Sequence, residues 1–120
     1  MAVTTWGSFT MRRGQEKGAL KLINAVKRQA QKDQPGTLVY LVHRLTDAKG
    51  RPTRTLLFYE RYRNMKALNA HLASSSWQAV VSHWPTYFEG ESAKKGVTFE
   101  NMDRIAAFAR DGAIPIKAPD

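Results

Sequence analysis

Residues 53–80, TRTLLFYERYRNMKALNAHLASSSWQAV, constrain the fold more than any other stretch, because a strand pattern passes into a helix pattern without a linker. Residues 53–62 are β-branched, aromatic and leucine-rich, which suits a pleated, half-buried surface. Period 2 puts Leu56, Phe58, Glu60 and Tyr62 on one face and Leu57, Tyr59 and Arg61 on the other. Glu60 thus stands on an otherwise apolar face. Burying an ion alone costs several kcal/mol, so this carboxylate needs a partner, a raised pKa or a wet pocket. The plainer reading is an ion pair with an arginine or a contact to the start of the next helix; the functional one is a carboxylate in a site.

Asn64 offers an N-cap, and Met65, Leu68 and Leu72 recur at helical spacing, so a helix of two to three turns should lie on the sheet. His71 falls on the flank of that stripe, with two readings open: an imidazole satisfied by a backbone carbonyl, or one facing a cavity. Ser74, Ser75 and Ser76 end this helix and can cap the next. There Trp77, Val80, Val81, Trp84, Tyr87 and Phe88 form a second stripe, either core or ligand wall.

The rest of the chain supplies packing for this unit. Residues 3–11 alternate as a strand, with Gly7 marking a bulge or a close approach of another group. Residues 15–32 carry Ala19, Leu22, Ile23, Val26 and Ala30 at helical spacing, and Asp33, Gln34, Pro35 and Gly36 stop that helix. TLVYLVHRL, residues 37–45, is nearly continuously apolar, as expected of a strand covered on both faces. Its two faces are Leu38, Tyr40, Val42, Arg44 and Val39, Leu41, His43, Leu45. His43 is a second sheltered imidazole, read first as structural. TDAKGRP then turns the chain into an antiparallel hairpin with the organising strand. Pro85 should kink or end the aromatic helix; residues 89–95 read as a polar loop, 96–100 as a last strand, and 101–110 as a helix or a longer strand.

The expected fold class is α+β: a ferredoxin-like β-α-β-β-α-β antiparallel sheet with helices on one face. Central strands that are apolar on both sides leave the other sheet face in need of cover. A two-fold homodimer with the sheets facing each other supplies it. The chain has 120 residues, enough for one domain, with a core over about residues 3–100 and an extension over 101–120. It has no cysteine, which excludes thiolate nucleophiles, thiolate metal sites and redox pairs; the expected location is cytoplasmic. Neither a signal peptide nor an apolar run approaching the ~18 residues of a membrane span is present.

The formal net charge of +9 would suit nucleic acid or an anionic small molecule. Its nineteen basic residues are spread along the chain without a compact block, which favours a generally basic surface over a nucleic-acid site.

Pro35, Gly36, Tyr40, Tyr59, Glu60, Tyr62, Ala70, His71, Leu72, Ala73 and Trp77 together resemble the pattern of the antibiotic biosynthesis monooxygenase family of dimeric α+β barrels. That pattern has a proline-glycine turn, a strand with tyrosine, a strand ending in tyrosine-glutamate-x-aromatic, and a helix with alanine-histidine-leucine before a small residue and an aromatic. The resemblance implies a pocket between helices and sheet in which a phenol, quinol or polyketide-like aromatic is oxidised by dioxygen without flavin, metal or other cofactor. It also implies roles: His71 as proton acceptor, Glu60 as its orienting or proton-sharing partner, Phe58, Trp77, Trp84 and Tyr87 as apolar wall, and Tyr40, His43 or Arg44 as donors to an oxyanion. A non-catalytic dimeric barrel that binds a ligand is the alternative. The haem-degrading branch uses an asparagine in the first strand and a late histidine. Here Thr4, Thr5 and Ser8 stand in that strand and Val80 and Val81 in the histidine neighbourhood, which disfavours haem cleavage, though His83 lies close by.

Overall fold

The computed structural model describes residues 2–102, 105, 106, 108 and 110. The elements run β1 (Val3–Thr10), α1 (Glu16–Asp33), β2 (Thr37–Thr46), β3 (Pro52–Tyr62), α2 (Met65–Leu72), α3 (Ser75–Ser82), α4 (Trp84–Tyr87), α5 (Ala93–Gly96) and β4 (Thr98–Met102). The four strands form one antiparallel sheet in the order β2-β3-β1-β4, the ferredoxin-like arrangement, with α2 to α5 standing where two short helices and a polar loop were expected.

β1 and β3 pair without interruption from Val3 opposite Tyr62 to Thr10 opposite Thr55. Thr5, Gly7 and Phe9 therefore share the helix-covered face with Leu56, Phe58 and Glu60. Gly7 introduces no bulge. The irregularities lie in the pairing of β2 with β3: one between Arg44 and Thr46, and one where Thr37 faces Tyr62 but Val39 faces Arg61, so Leu38 is an extra residue and stands 47% exposed. From there Tyr40 opposes Glu60, Val42 opposes Phe58 and His43 opposes Leu57.

Helix α1 turns Ala19, Ile23, Val26 and Ala30 inward, as its spacing requires. The core centres on Phe9, whose ring stacks on Phe58 at 4.6 Å and meets Trp84 and Phe88 at 5.0 Å each. Asn64 caps α2 by accepting from Ala67 N at 2.9 Å, and Ser74 caps α3 by accepting from Trp77 N at 3.4 Å.

Three details differ from the sequence expectation. The aromatic stripe is broken at His83: α3 stops at Ser82, and α4 restarts with Pro85 in its first turn, where a missing N–H costs nothing. The polar loop after it contains a further turn, α5, capped by Ser92. β4 is displaced by two residues from the expected 96–100 to Thr98–Met102, with Asn101 and Met102 paired with Thr5 and Thr4, which follows the strand alternative for residues 101–110 at its start rather than the helix. The described residues 105, 106, 108 and 110 are not helical, and the remainder of the expected helix and extension lies outside the described residues.

The other sheet face carries Trp6, Val39, Leu41, His43, Leu57, Tyr59 and Arg61, all half-buried or exposed in this chain. Among the described residues no helix is long and apolar enough to cross a membrane.

Candidate functional site

Between the sheet and helices α2 and α3 lies a cavity of about 400 Å³, counting the part that opens to solvent, lined by Gly7, Phe9, Tyr40, Phe58, Glu60, His71, Leu72, Trp77 and Val97. Each wall follows from local geometry. Parity along β3 presents Phe58 and Glu60, the bulge in β2 turns Tyr40 to the same side, and the capped corner at Ser74 brings Trp77 to the cavity wall. The wall contains no lysine or arginine.

Two polar side chains meet there. His71 Nε2 lies 3.5 Å from Glu60 Oε1; the imidazole is 3% exposed and the carboxylate 12%. Burial pushes Glu60 above the usual carboxylate range, partly offset by the approach of the Tyr62 and Thr5 hydroxyls. Thr5 Oγ1 donates to Glu60 Oε2 at 3.3 Å, while the Tyr62 hydroxyl has no hydrogen-bond partner among the described residues. Burial also lowers His71 to about 4. The charged forms of both groups are therefore disfavoured in the empty cavity. Burial, and then the Glu60 charge, push the Tyr40 and Tyr62 phenols above their usual range. Both phenol rings flank the imidazole, at 5.7 and 5.5 Å between centroids.

The structure thus brings Glu60, His71, Tyr40, Phe58 and Trp77 together and leaves four of the sequence candidates elsewhere. His43 sits on the opposite sheet face, because the extra residue at Leu38 fixes the parity of β2 that way. Trp84 is fully buried in the core beneath Phe9, with its indole N–H donating to Glu89 O at 3.1 Å. The break at His83 rotates it away from the line continued from Trp77. Tyr87 packs over Gly18 of α1, where a Cβ would come within 2.4 Å of its ring. Arg44 opposes Leu56, at the exposed end of β2, and is absent from the cavity wall.

Sequence reasoning missed two contributors. Thr5 could have been found by pairing β1 with β3 in register. Gln34 was read only as part of a helix stop, although its side-chain oxygen lies 2.8 Å from His71 Nδ1. Among the described residues no group of three or more histidine or acidic side chains is placed to hold a metal ion.

Solved structures repeat this fold at low sequence identity. The PA3566 protein of Pseudomonas aeruginosa matches with a TM-score of 0.70 and 16% identity, over 88% of this chain and 95% of its own. Rv0793 of Mycobacterium tuberculosis matches with a TM-score of 0.66 and 20% identity, over 88% and 100%. A Caulobacter crescentus protein bearing the antibiotic biosynthesis monooxygenase name matches with a TM-score of 0.68 and 17% identity, over 88% and 91%. At these identities the likeness is one of fold. No curated protein matches the chain in sequence. The family model described as antibiotic biosynthesis monooxygenase matches residues 3–82, a span that holds β1 through α3 and with them Glu60, His71 and Trp77. The chain belongs to the antibiotic biosynthesis monooxygenase family.

Proposed function

We propose that this protein is a cofactor-independent monooxygenase that oxidises a small, electron-rich phenol, quinol or polyketide-like aromatic with dioxygen. The observation that carries the reading is the single imidazole–carboxylate pair, 3.5 Å apart, in a cavity otherwise walled by carbon and the Tyr40 ring. His71 takes the phenolic proton. Glu60 stabilises the imidazolium or shares its proton. The resulting phenolate is electron-rich enough to reduce dioxygen, and a ring carbon forms the new C–O bond to give a peroxide. Protonation, loss of the hydrogen on that carbon and O–O cleavage then release water and leave a quinone. The phenol supplies all four electrons; one oxygen atom ends in the quinone and the other in water.

A dry imidazole is a weak base at rest, which suits this sequence of events. Its lone pair stays free until substrate arrives, and the phenolate formed beside it then favours the imidazolium by direct attraction. Phe58, Phe9 and Trp77 keep the anion away from water, and the Tyr40 hydroxyl, on a residue of the same wall, donates to it.

The test is oxygen consumption with a panel of hydroquinones and polycyclic phenols, with product analysis. The expected result is one dioxygen consumed per quinone formed without added flavin or metal. Binding of the same phenols with no oxygen uptake would replace this reading with that of a ligand-binding barrel.

The same reading makes the protein a homodimer through the sheet face that carries Trp6, Leu41, Leu57 and Tyr59, since a second copy would bury these half-exposed side chains. Sedimentation velocity should give the mass of two chains. A monomer at micromolar concentration would refute the dimer.

A further inference from the structure

Gln34 stands where α1 hands over to β2, and its main chain is fixed on both sides. The N–H donates to Ala30 O at 3.1 Å and the carbonyl accepts from Thr37 N at 3.0 Å. The side chain then reaches across to α2, with Oε1 2.8 Å from His71 Nδ1 and 3.3 Å from Thr37 Oγ1. An amide oxygen accepts and cannot donate, so the short contact puts the ring proton on Nδ1, and the Thr37 hydroxyl donates to the second lone pair. The other ring nitrogen is left bare. At 3.5 Å from Glu60 Oε1 it lies at the edge of hydrogen-bond distance and on the wall of the cavity.

We infer that Gln34 is the positioning residue of this site: its side-chain carbonyl holds the Nδ1 proton of His71, so that the neutral ring presents an unprotonated Nε2 to Glu60 and to the substrate. An imidazole without such an acceptor favours the other tautomer, which would aim an N–H at the carboxylate and leave no lone pair on the cavity side. Gln34 serves this role better than a carboxylate would, because an uncharged acceptor orients the ring without stabilising its cation. The titratable groups that face His71 are Glu60 and Tyr62 from β3 and Tyr40 from β2. None of them contacts Nδ1, so among the described residues the tautomer is set by Gln34.

The significance of the tautomer for catalysis rests on His71 being the proton acceptor; the tautomer itself does not. Imidazole ¹⁵N resonances of His71, which separate protonated from bare ring nitrogens, are measured in the wild type, Gln34→Met and Gln34→Glu. The wild type should show a protonated Nδ1 and a bare Nε2. Gln34→Met, of similar length with no acceptor, should change the tautomer ratio about tenfold or more towards Nε2–H, tenfold being the effect of about 1.4 kcal/mol. Gln34→Glu should retain Nδ1–H and move the His71 titration upward by about one pH unit or more.

A wild-type proton on Nε2, a tautomer ratio indifferent to Gln34→Met, or no upward movement in Gln34→Glu would overturn the assignment. The Glu variant decides the matter alone if the Met variant does not fold. In the oxygen assay, kcat should fall in Gln34→Met with KM little changed and recover in Gln34→Glu. A responsive tautomer in a wild-type protein without turnover would sink the proposed function and leave the role of Gln34 in place.

Discussion

Replacing His71 by alanine lowers kcat for oxygen consumption by about 10²–10⁴-fold, the range general-base catalysis supplies, while the protein remains folded. The expectation rests on the shortage of alternatives in the cavity. Glu60 is pushed towards its neutral form by burial, and the wall holds neither lysine nor arginine to substitute. Because the cavity is partly open to solvent, added imidazole can enter the space left by the ring and should restore part of the rate. A purely structural role would show the reverse: a lower unfolding midpoint, an unchanged kcat in the folded fraction and no response to imidazole. Measuring kcat and the denaturation midpoint on the same preparation separates the two.

Stability should depend on pH more steeply in Glu60→Gln than in the wild type, with the variant losing about 3 kcal/mol between pH 6.5 and 4, roughly a hundredfold in the folding equilibrium. The sign follows from which state binds the proton. Below 6.5 the unfolded chain protonates His71, whereas the folded chain resists until about 4, so stability falls as pH falls through that window. Glu60 works in the opposite direction. Its folded pKa is raised above 4.5, so from 4.5 up to that raised value the folded chain holds a proton that the unfolded chain has released, and stability falls as pH rises. Where the windows overlap the two slopes oppose each other and the wild type is less steep. Removing the carboxylate uncovers the histidine slope. Glu16 and Asp47, whose pKa values are held low mainly by backbone N–H bonds, add the same acid sensitivity to both proteins and drop out of the comparison. Urea unfolding at several pH values gives the answer, and parallel curves for the two proteins would contradict it.

Much of this site could be read from the residues because its chemistry conflicts with its pattern. A glutamate among Leu56, Phe58 and Tyr62 breaks strict alternation, and the conflict marks a place where burial has to be compensated. His71 was legible as a flank position, but its partner was not: Gln34 lies 37 residues away, and nothing local distinguishes a glutamine that ends a helix from one that also reaches across to another. The aromatic stripe misled for a different reason. Spacing alone carries Trp77 through to Tyr87 on one face, yet the backbone leaves the helical path at His83 (φ −98°, ψ 10°), and the new axis takes Trp84 and Tyr87 into the core and onto α1. For His43, alternation gave the right face of its own strand without saying which face the helices would cover. That depended on the pairing of β2 with β3.

The extra residue at Leu38 makes that pairing a matter of counting. Were Leu38 taken into regular pairing instead of standing out as a bulge, the strand would meet β3 in the next register: Leu41 would oppose Phe58, and Tyr40 would leave the substrate side for the outer surface. A homologue of the same length whose β2 runs through this point without the bulge therefore presents the alternate set of β2 side chains to its ligand, however similar the letters. Transferring a residue's role between members of the family across this strand has to be done by structural superposition, and specificity can change there through the gain or loss of a bulge as readily as through a substitution.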